Sequence, residues 1–286
     1  MTYGMKTGWV ASCVVITLAV GCSSESAVVR QVHKERLVDA IRQKLLESVE
    51  AEKTAVLAIT DPESEAAAVE ARNDEAEVNK VRGELRPLIV ADGRREEIEK
   101  LDAFDAAWAE FERVDERLLA LAVANTNLKA TRLLSRDGAE DLDRFVDGVA
   151  AMQDSVTDPG LLRALSRAST AALRSQGLLF AHIPAADAAE MTGLEQRMQA
   201  ASAEVERSMG SVRESNQVAP TLLASTSHAW TAYQQVEAEV VRLSRQNSNV
   251  ISFDVSVHAK REATKQCLAA LAALATAIDV GPHAPR

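Results

Sequence analysis

Two segments of the chain carry the residue types best suited to hold a small polar molecule. Asparagine offers both donors and acceptors, and tryptophan offers an apolar wall with one N–H donor. Since ligand pockets combine apolar walls with a few polar groups, these residues are the candidate ligand-binding set. They are Trp108, Asn125 and Asn127 in the first segment, and Trp230, Asn247 and Asn249 in the second.

The asparagines allow two interpretations. Asn125 falls on an apolar helical stripe with Phe111 and Leu118, and Asn247 falls on a similar stripe behind Tyr233. A buried amide must form hydrogen bonds or it costs about 1–3 kcal/mol. The first interpretation is that the asparagines bond to one another or to a neighbouring helix and fix its register, as in coiled coils. The second is that they face a ligand; the first is favoured because duplicated core polar groups more often specify packing.

Other chemistry finds little support in the residue pattern. Di-iron sites in helical bundles need Glu-x-x-His, and no glutamate stands three residues before any of His33, His182, His228 and His258. The chain has no Cys-x-x-Cys-His haem motif, no glycine-rich phosphate loop and no Gly-x-Ser-x-Gly elbow. We therefore expect no enzymatic activity, no metal and no cofactor. A haem held by one histidine and one methionine is the remaining alternative, at His182 or His228.

The composition predicts long helices to carry these residues. The chain has 286 residues, of which 47% are hydrophobic but only 3% aromatic, with just 12 Gly and 7 Pro. Sandwiches and barrels of short strands need more turn residues than this, so the expected fold class is all-α. The formal net charge of −10 argues against nucleic-acid binding, which requires concentrated Lys and Arg.

Apolar periodicity and helix-breaking residues place the individual helices. A third helix is expected over residues 94–135, followed by a break at Asp137–Gly138 and a fourth helix over 139–156. The strongest break is Asp158-Pro159-Gly160, which we take as the domain boundary.

The second half of the sequence repeats the first at an offset of 122 residues. Ala107-Trp108 matches Ala229-Trp230, and Asn125-Thr126-Asn127 matches Asn247-Ser248-Asn249. Because internal similarity of this kind indicates a repeated structural unit, we predict a duplication. The predicted architecture is two tandem antiparallel four-helix bundles, the first over residues 22–157 and the second over 158–286.

The N-terminus has the features of a bacterial lipoprotein signal. Lys6 precedes an apolar run that ends in Leu18-Ala19-Val20-Gly21-Cys22, which resembles a lipobox. Residues 1–21 are then a signal peptide, starting at Met1 or Met5, and Cys22 carries acyl chains such as palmitate that anchor the protein in a membrane. Ser23 favours the outer membrane. The expected location is the cell envelope, facing the periplasm or the cell exterior; the alternatives are a simple signal peptide or an uncleaved anchor.

This interpretation also assigns the three cysteines. Cys13 leaves with the signal peptide and Cys22 carries the lipid, so Cys267 is the one remaining thiol and no intramolecular disulfide is available. Cys267 lies in a helix rich in alanine and leucine, where we expect a buried and inert thiol.

A family resemblance covers residues 30–156 and, more faintly, 160–280. Residues 101–108 (LDAFDAAW), residues 121–127 (LAVANTN) and the earlier segments 84–88 and 52–58 resemble the four-helix-bundle ligand-binding domain of methyl-accepting chemotaxis receptors. The resemblance implies a periplasmic sensor that binds small solutes between helices. This chain shows no transmembrane pair and no methylated signalling hairpin, so signalling is expected to pass through a membrane partner.

These features together predict a non-enzymatic binding protein. The expected partners are the membrane, through the lipid on Cys22, and either a small-molecule ligand or a membrane receptor in signal transduction. A homodimer is a further option, and no nucleic acid is expected. The alternative is a structural or scaffolding envelope protein without a ligand, whose long helices serve as coiled-coil-like interaction surfaces.

Overall fold

The computed structural model describes the backbone of residues 16–279 and the side chains of residues 27–279. It is 92% helical with no strand among the described residues, which confirms the all-α fold class. The α-helices are α1 (Ile16–Leu57), α2 (Asp61–Asp92), α3 (Arg95–Ala124), α4 (Thr126–Leu133), α5 (Ala139–Ser155), α6 (Pro159–His182), α7 (Ala188–Ser215), α8 (Pro220–Gln246), α9 (Ser248–Val255) and α10 (Arg261–Asp279).

Helix ends coincide with residues that satisfy free backbone groups. The Asp158 carboxylate accepts hydrogen bonds from the N–H groups of Gly160 at 2.7 Å and Leu161 at 2.9 Å, which caps α6. Asp187 caps α7 in the same way through the N–H of Glu190, at 2.8 Å. The predicted break at Asp158-Pro159-Gly160 is therefore a true helix start.

The long third helix of each half ends earlier than the periodicity predicts. The chain turns at Asn125 and Asn247, whose φ angles of 50° and 52° lie in the left-handed region, which interrupts the helix. The short helices α4 and α9 follow them. The break predicted at Asp137–Gly138 is wrong, since Gly138 has helical dihedrals and a π-helical turn over Leu134–Gly138 leads directly into α5.

The chain divides into two compact units. Unit 1 comprises residues 1–53, 67–116 and 258–286, and unit 2 comprises residues 54–66 and 117–257. The core of unit 1 joins apolar side chains of α1, α2, α3 and α10, among them Ile41, Phe104 and Leu271. The core of unit 2 joins those of α4 to α8, among them Phe145, Leu179 and Trp230.

The elements repeat at the offset found in the sequence, but the units do not follow the halves. Helices α4 and α9 begin 122 residues apart, and so do the π-helical turns Leu134–Gly138 and Ser256–Lys260. The fourth helix of the first half, α5, packs in unit 2, whereas the fourth helix of the second half, α10, packs in unit 1. The predicted boundary between 157 and 158 therefore does not separate the units, because each unit takes its fourth helix from the other half of the sequence.

The leader and lipid attachment predicted at the N-terminus lie largely outside the described residues. Residues 1–15 are not described, and Cys22 belongs to the part of α1 whose side chains are not described. None of the helices described is both long enough and apolar enough to cross a membrane.

Candidate functional site

The asparagine motifs of the two halves meet inside unit 2. Asn125 immediately precedes α4, and Asn247 immediately precedes α9. Both asparagines are buried, as are Thr126, Ser248 and Asn127. We call residues 125–127 and 247–249 the asparagine cluster.

The two motifs cap each other's helices reciprocally. The Thr126 N–H donates to Ser248 Oγ at 3.0 Å, and the Ser248 N–H donates to Thr126 Oγ1 at 3.0 Å. In the same way, the Asn127 N–H donates to Asn249 Oδ1 at 3.1 Å, and the Asn249 N–H donates to Asn127 Oδ1 at 3.2 Å. The first N–H groups of a helix have no partner within it, so each motif satisfies the other's free donors.

Three of the four side-chain amide nitrogens of the cluster donate within unit 2, whereas the buried Asn125 Nδ2 has no hydrogen-bond partner among the described residues. Asn127 Nδ2 donates to Asn247 Oδ1 at 2.8 Å and to the carbonyl of Ile183 at 2.6 Å. Asn249 Nδ2 donates to Asn125 Oδ1 at 2.9 Å, and Asn247 Nδ2 donates to a backbone carbonyl at 3.0 Å. This geometry supports the interpretation that the asparagines fix packing; a ligand-binding role for them stays a prediction.

The two candidate tryptophans lie in aromatic clusters of different units. In unit 1, Trp108 stacks on Phe111 with ring centroids 4.8 Å apart, and its indole N–H donates to Asn79 Oδ1 at 3.0 Å. In unit 2, Trp230 stacks on Tyr233 at 5.3 Å, and its N–H donates to Glu206 Oε1 at 2.9 Å. Both indole donors therefore have partners within their own bundles. Trp108 belongs to unit 1 and the asparagine cluster to unit 2.

A buried charged cluster in unit 1 was not anticipated. Lys260, 1% exposed, contacts the Asp115 carboxylate, lies 3.9 Å from Glu75 Oε1, and places its Nζ 3.2 Å from the centroid of the Phe111 ring. A cation over an aromatic face is attracted by the ring quadrupole. The burial of Lys260 could have been predicted from its position in the sequence, because Lys260 falls on the same helical stripe as Cys267 and Leu271.

Burial sets the protonation of this cluster. Burial and then the Asp115 charge raise the pKa of Glu75 to about 9, so this carboxyl holds a proton at neutral pH. Burial lowers the pKa of the Lys260 ammonium, against the attraction of Asp115. The cluster thus places the Lys260–Asp115 contact beside a protonated carboxyl, and the neutral form of Glu75 limits the number of buried charges.

His182 and Cys267 are buried among other side chains of the protein. The buried His182 ring meets Ser244 Oγ at 2.6 Å through Nδ1 and Glu195 Oε1 at 3.0 Å through Nε2. Ser244 is fully buried, so this chain of three groups offers no nucleophile to a substrate. Cys267 is buried as predicted, and burial raises the pKa of its thiol to about 12. Within the described part of the chain, no group of three His, Cys, Asp or Glu side chains is placed to hold a metal ion.

Open concavities lie on the faces of the helices. Two adjoining cavities of about 470 and 660 Å³ lie along α6 and α7, and both are lined by Arg167, Glu204 and Arg207. Volumes of this size are typical of small-molecule sites. Sequence reasoning missed this groove because it placed the ligand at the asparagines and tryptophans of the cores rather than in an open groove along α6 and α7.

Comparison with models of known protein families, with curated proteins and with solved structures gives no match for this chain.

Proposed function

We propose that this chain is a lipid-anchored, non-enzymatic protein of the cell envelope that binds a small solute or a membrane partner on the outer faces of its helices. We place the binding surface on the outside of the helices because most buried polar groups of the candidate residues already form hydrogen bonds within the protein. Apart from the buried Asn125 Nδ2, the side-chain amides of the asparagine cluster bond to one another and to nearby carbonyls, and the indole donors are occupied. The grooves open to solvent lie outside these cores.

The anchor rests on the sequence. Leu18-Ala19-Val20-Gly21-Cys22 resembles a lipobox, and lipidation of Cys22 with two or more chains would hold the protein stably at a membrane. The resemblance to chemoreceptor sensor domains suggests a role in signal transduction through a membrane partner. The long-helix, all-α architecture is compatible with that role.

A structural or scaffolding role is the second candidate, and the asparagine cluster is the observation that favours it. Reciprocal capping between Thr126 and Ser248 fixes one register without any ligand. In that case the long helices would present interaction surfaces to other envelope proteins.

Metabolic labelling with a fatty-acid analogue tests the anchor. We expect the wild-type chain to be labelled and to fractionate with membranes, and Cys22→Ala to lose the label, because no other residue would receive the lipid. Cys13→Ala, the matched control in the same leader, keeps both label and fractionation. Labelling that persists in Cys22→Ala contradicts the proposal.

A further inference from the structure

The groove between α6 and α7 is basic in a chain that is acidic overall. Its lining includes four arginines, Arg163, Arg167, Arg174 and Arg207, against two acids, Asp158 and Glu204. The whole chain carries a formal net charge of −10. The excess of positive charge is therefore local to this groove, which we call the α6–α7 groove.

Helix α6 supplies three of these arginines and no acid. Between Pro159 and His182 the sequence contains Arg163, Arg167 and Arg174 but neither Asp nor Glu. Their separations of four and seven residues place all three on one face of the helix. Like charges four residues apart destabilise a helix, so this pattern works against the stability of α6 unless an anion joins it.

The α6 arginines form no short-range ion pair among the described side chains. Arg163, Arg167 and Arg174 are exposed, none of them forms a hydrogen bond or a salt bridge with another described residue, and Arg167 acts on Glu204 through its charge alone. This contrasts with most other arginines, such as Arg242, which pairs with Glu239 at 2.7 Å. Three guanidinium groups are thus free to contact a ligand.

The acids of the groove are already bonded. The Asp158 carboxylate accepts from two backbone N–H groups at the start of α6, and Glu204 Oε2 accepts from Arg207 Nη2 at 2.6 Å. The hydrogen bond from Arg207, together with the charges of Arg207 and Arg167, lowers the pKa of Glu204 against the effect of burial. Ser166 adds a donor, because its Oγ accepts from Gln153 at 3.1 Å while its own O–H can point into the groove.

We propose that the α6–α7 groove binds a phosphate group, carried either by a free phosphate compound or by the headgroup of an anionic phospholipid. Guanidinium groups present planar pairs of donors that match phosphate oxygens. A phosphate also offers several oxygens in different directions, which suits Arg167, a neighbouring arginine of the same helix face and the Ser166 hydroxyl. Arg163 and Arg174 are about 16 Å apart along α6, so one phosphate contacts Arg167 together with one or the other. This inference deepens the proposed function by naming a ligand class. It rests on the proposed membrane anchor only where the phosphate belongs to a lipid headgroup.

The test uses the full chain in non-ionic detergent. The salt concentration is low, because physiological salt weakens the attraction between exposed charges that are more than about 8 Å apart. Inorganic phosphate is titrated by calorimetry. After the detergent has been removed, binding to vesicles of phosphatidylcholine, with and without phosphatidylglycerol, is measured by flotation. Vesicles of phosphatidylcholine alone measure the binding that comes from insertion of the lipidated N-terminus.

The decisive variant is Arg163→Gln/Arg167→Gln/Arg174→Gln. Glutamine has nearly the helix propensity of arginine, so α6 should remain folded, and circular dichroism checks this. The matched control, Arg95→Gln/Arg113→Gln/Arg242→Gln, makes the same change in net charge at exposed positions outside the groove.

We expect the groove variant to bind at least about tenfold more weakly, because it removes the charge-assisted hydrogen bonds that the guanidinium groups would donate to the phosphate. The control variant should stay within about twofold of wild type, because exposed charges away from the site contribute little. Binding of inorganic phosphate identifies a free phosphate compound as a source. Dependence on phosphatidylglycerol without binding of inorganic phosphate identifies the lipid headgroup.

Three results would overturn the proposal: no binding of either probe at low salt, binding that survives in the groove variant, or equal loss in the groove and control variants. None of them bears on the labelling of Cys22, so failure of this inference is distinguishable from failure of the anchor.

Discussion

Asn127 shows how one polar side chain can organise several segments of unit 2. Its amide donates to the Ile183 carbonyl and to Asn247, and its Oδ1 accepts from the N–H of Asn249. The sequence left two interpretations open and favoured the one in which the asparagines bond to one another or to a neighbouring helix. It did not predict the left-handed turns at Asn125 and Asn247, because an asparagine on an apolar stripe is compatible with an uninterrupted helix.

At the same scale, Glu75 predicts a pH dependence of stability. Its pKa is raised from 4.5 to about 9 in the folded chain. Between these two pH values the folded chain therefore holds a proton on this carboxyl that the unfolded chain releases. The free energy of unfolding should therefore fall through this group as the pH rises from about 5 to about 9. Glu75→Gln, which mimics the neutral acid, should be more stable than wild type by a margin that grows over that range.

Urea unfolding of both proteins at several pH values measures this margin. Glu70→Gln is the control, because Glu70 is an exposed carboxylate on the same helix. A difference between Glu75→Gln and wild type that is independent of pH would show that Glu75 is not protonated in the folded chain.

At the scale of the elements, the sequence predicted most helices but not all of their ends. The break at Asp158-Pro159-Gly160 is a local signal, and the structure begins a helix there with Asp158 as its cap. The π-helical turn over Leu134–Gly138 has no comparable signal, since glycine is allowed in both helix and turn. The arginine stripe of α6 was readable in the sequence, but the groove beside it required the packing of α7.

Glycine-to-alanine substitutions test the helix ends and one close helix contact. Gly83 lies inside α2 with no atom within 4 Å of an added Cβ, so Gly83→Ala should stabilise by about 0.5–1 kcal/mol. Gly93 has the same free space but a φ of 65°, so Gly93→Ala should destabilise by about 1–2 kcal/mol.

A Cβ on Gly148 would collide with the Thr226 side chain, so Gly148→Ala should lose about 1–3 kcal/mol through overpacking of α5 against α8.

Chemical denaturation of the three variants gives these values, and Gly83→Ala serves as the control for the other two. If Gly148→Ala were as stable as Gly83→Ala, α5 would not pack closely against α8.

At the scale of the whole molecule, the repeat was visible in the sequence and the exchange of fourth helices was not. An alignment at an offset of 122 residues shows that α5 and α10 are equivalent, but equivalent helices can pack with either half. The choice depends on side chains from distant segments, such as Phe104 of α3 and Leu271 of α10, which belong to the same core in unit 1. Lys260 adds to that choice, because it pairs with Asp115 of α3, whereas Gly138 stands at the equivalent position before α5.

The rate at which the Cys267 thiol is labelled shows which half of the sequence packs around α10. Its thiol is buried and its pKa is raised to about 12, so a thiol reagent reacts only when the core opens. Phe111 in unit 1 and Tyr233 in unit 2 stand 122 residues apart, and both are fully buried. In a chain with Cys13 and Cys22 replaced by serine, Phe111→Ala should accelerate labelling of Cys267 by about a hundredfold, the effect of roughly 3 kcal/mol on the opening equilibrium.

Tyr233→Ala is the matched control, since it removes an equivalent aromatic ring from the core that does not contain Cys267. We expect it to change the labelling rate much less, because unit 1 can stay closed while unit 2 is weakened. Tandem bundles that follow the halves of the sequence would instead place Cys267 against α8, and Tyr233→Ala would then have the larger effect. The ratio of the two rates therefore decides between exchanged and tandem fourth helices.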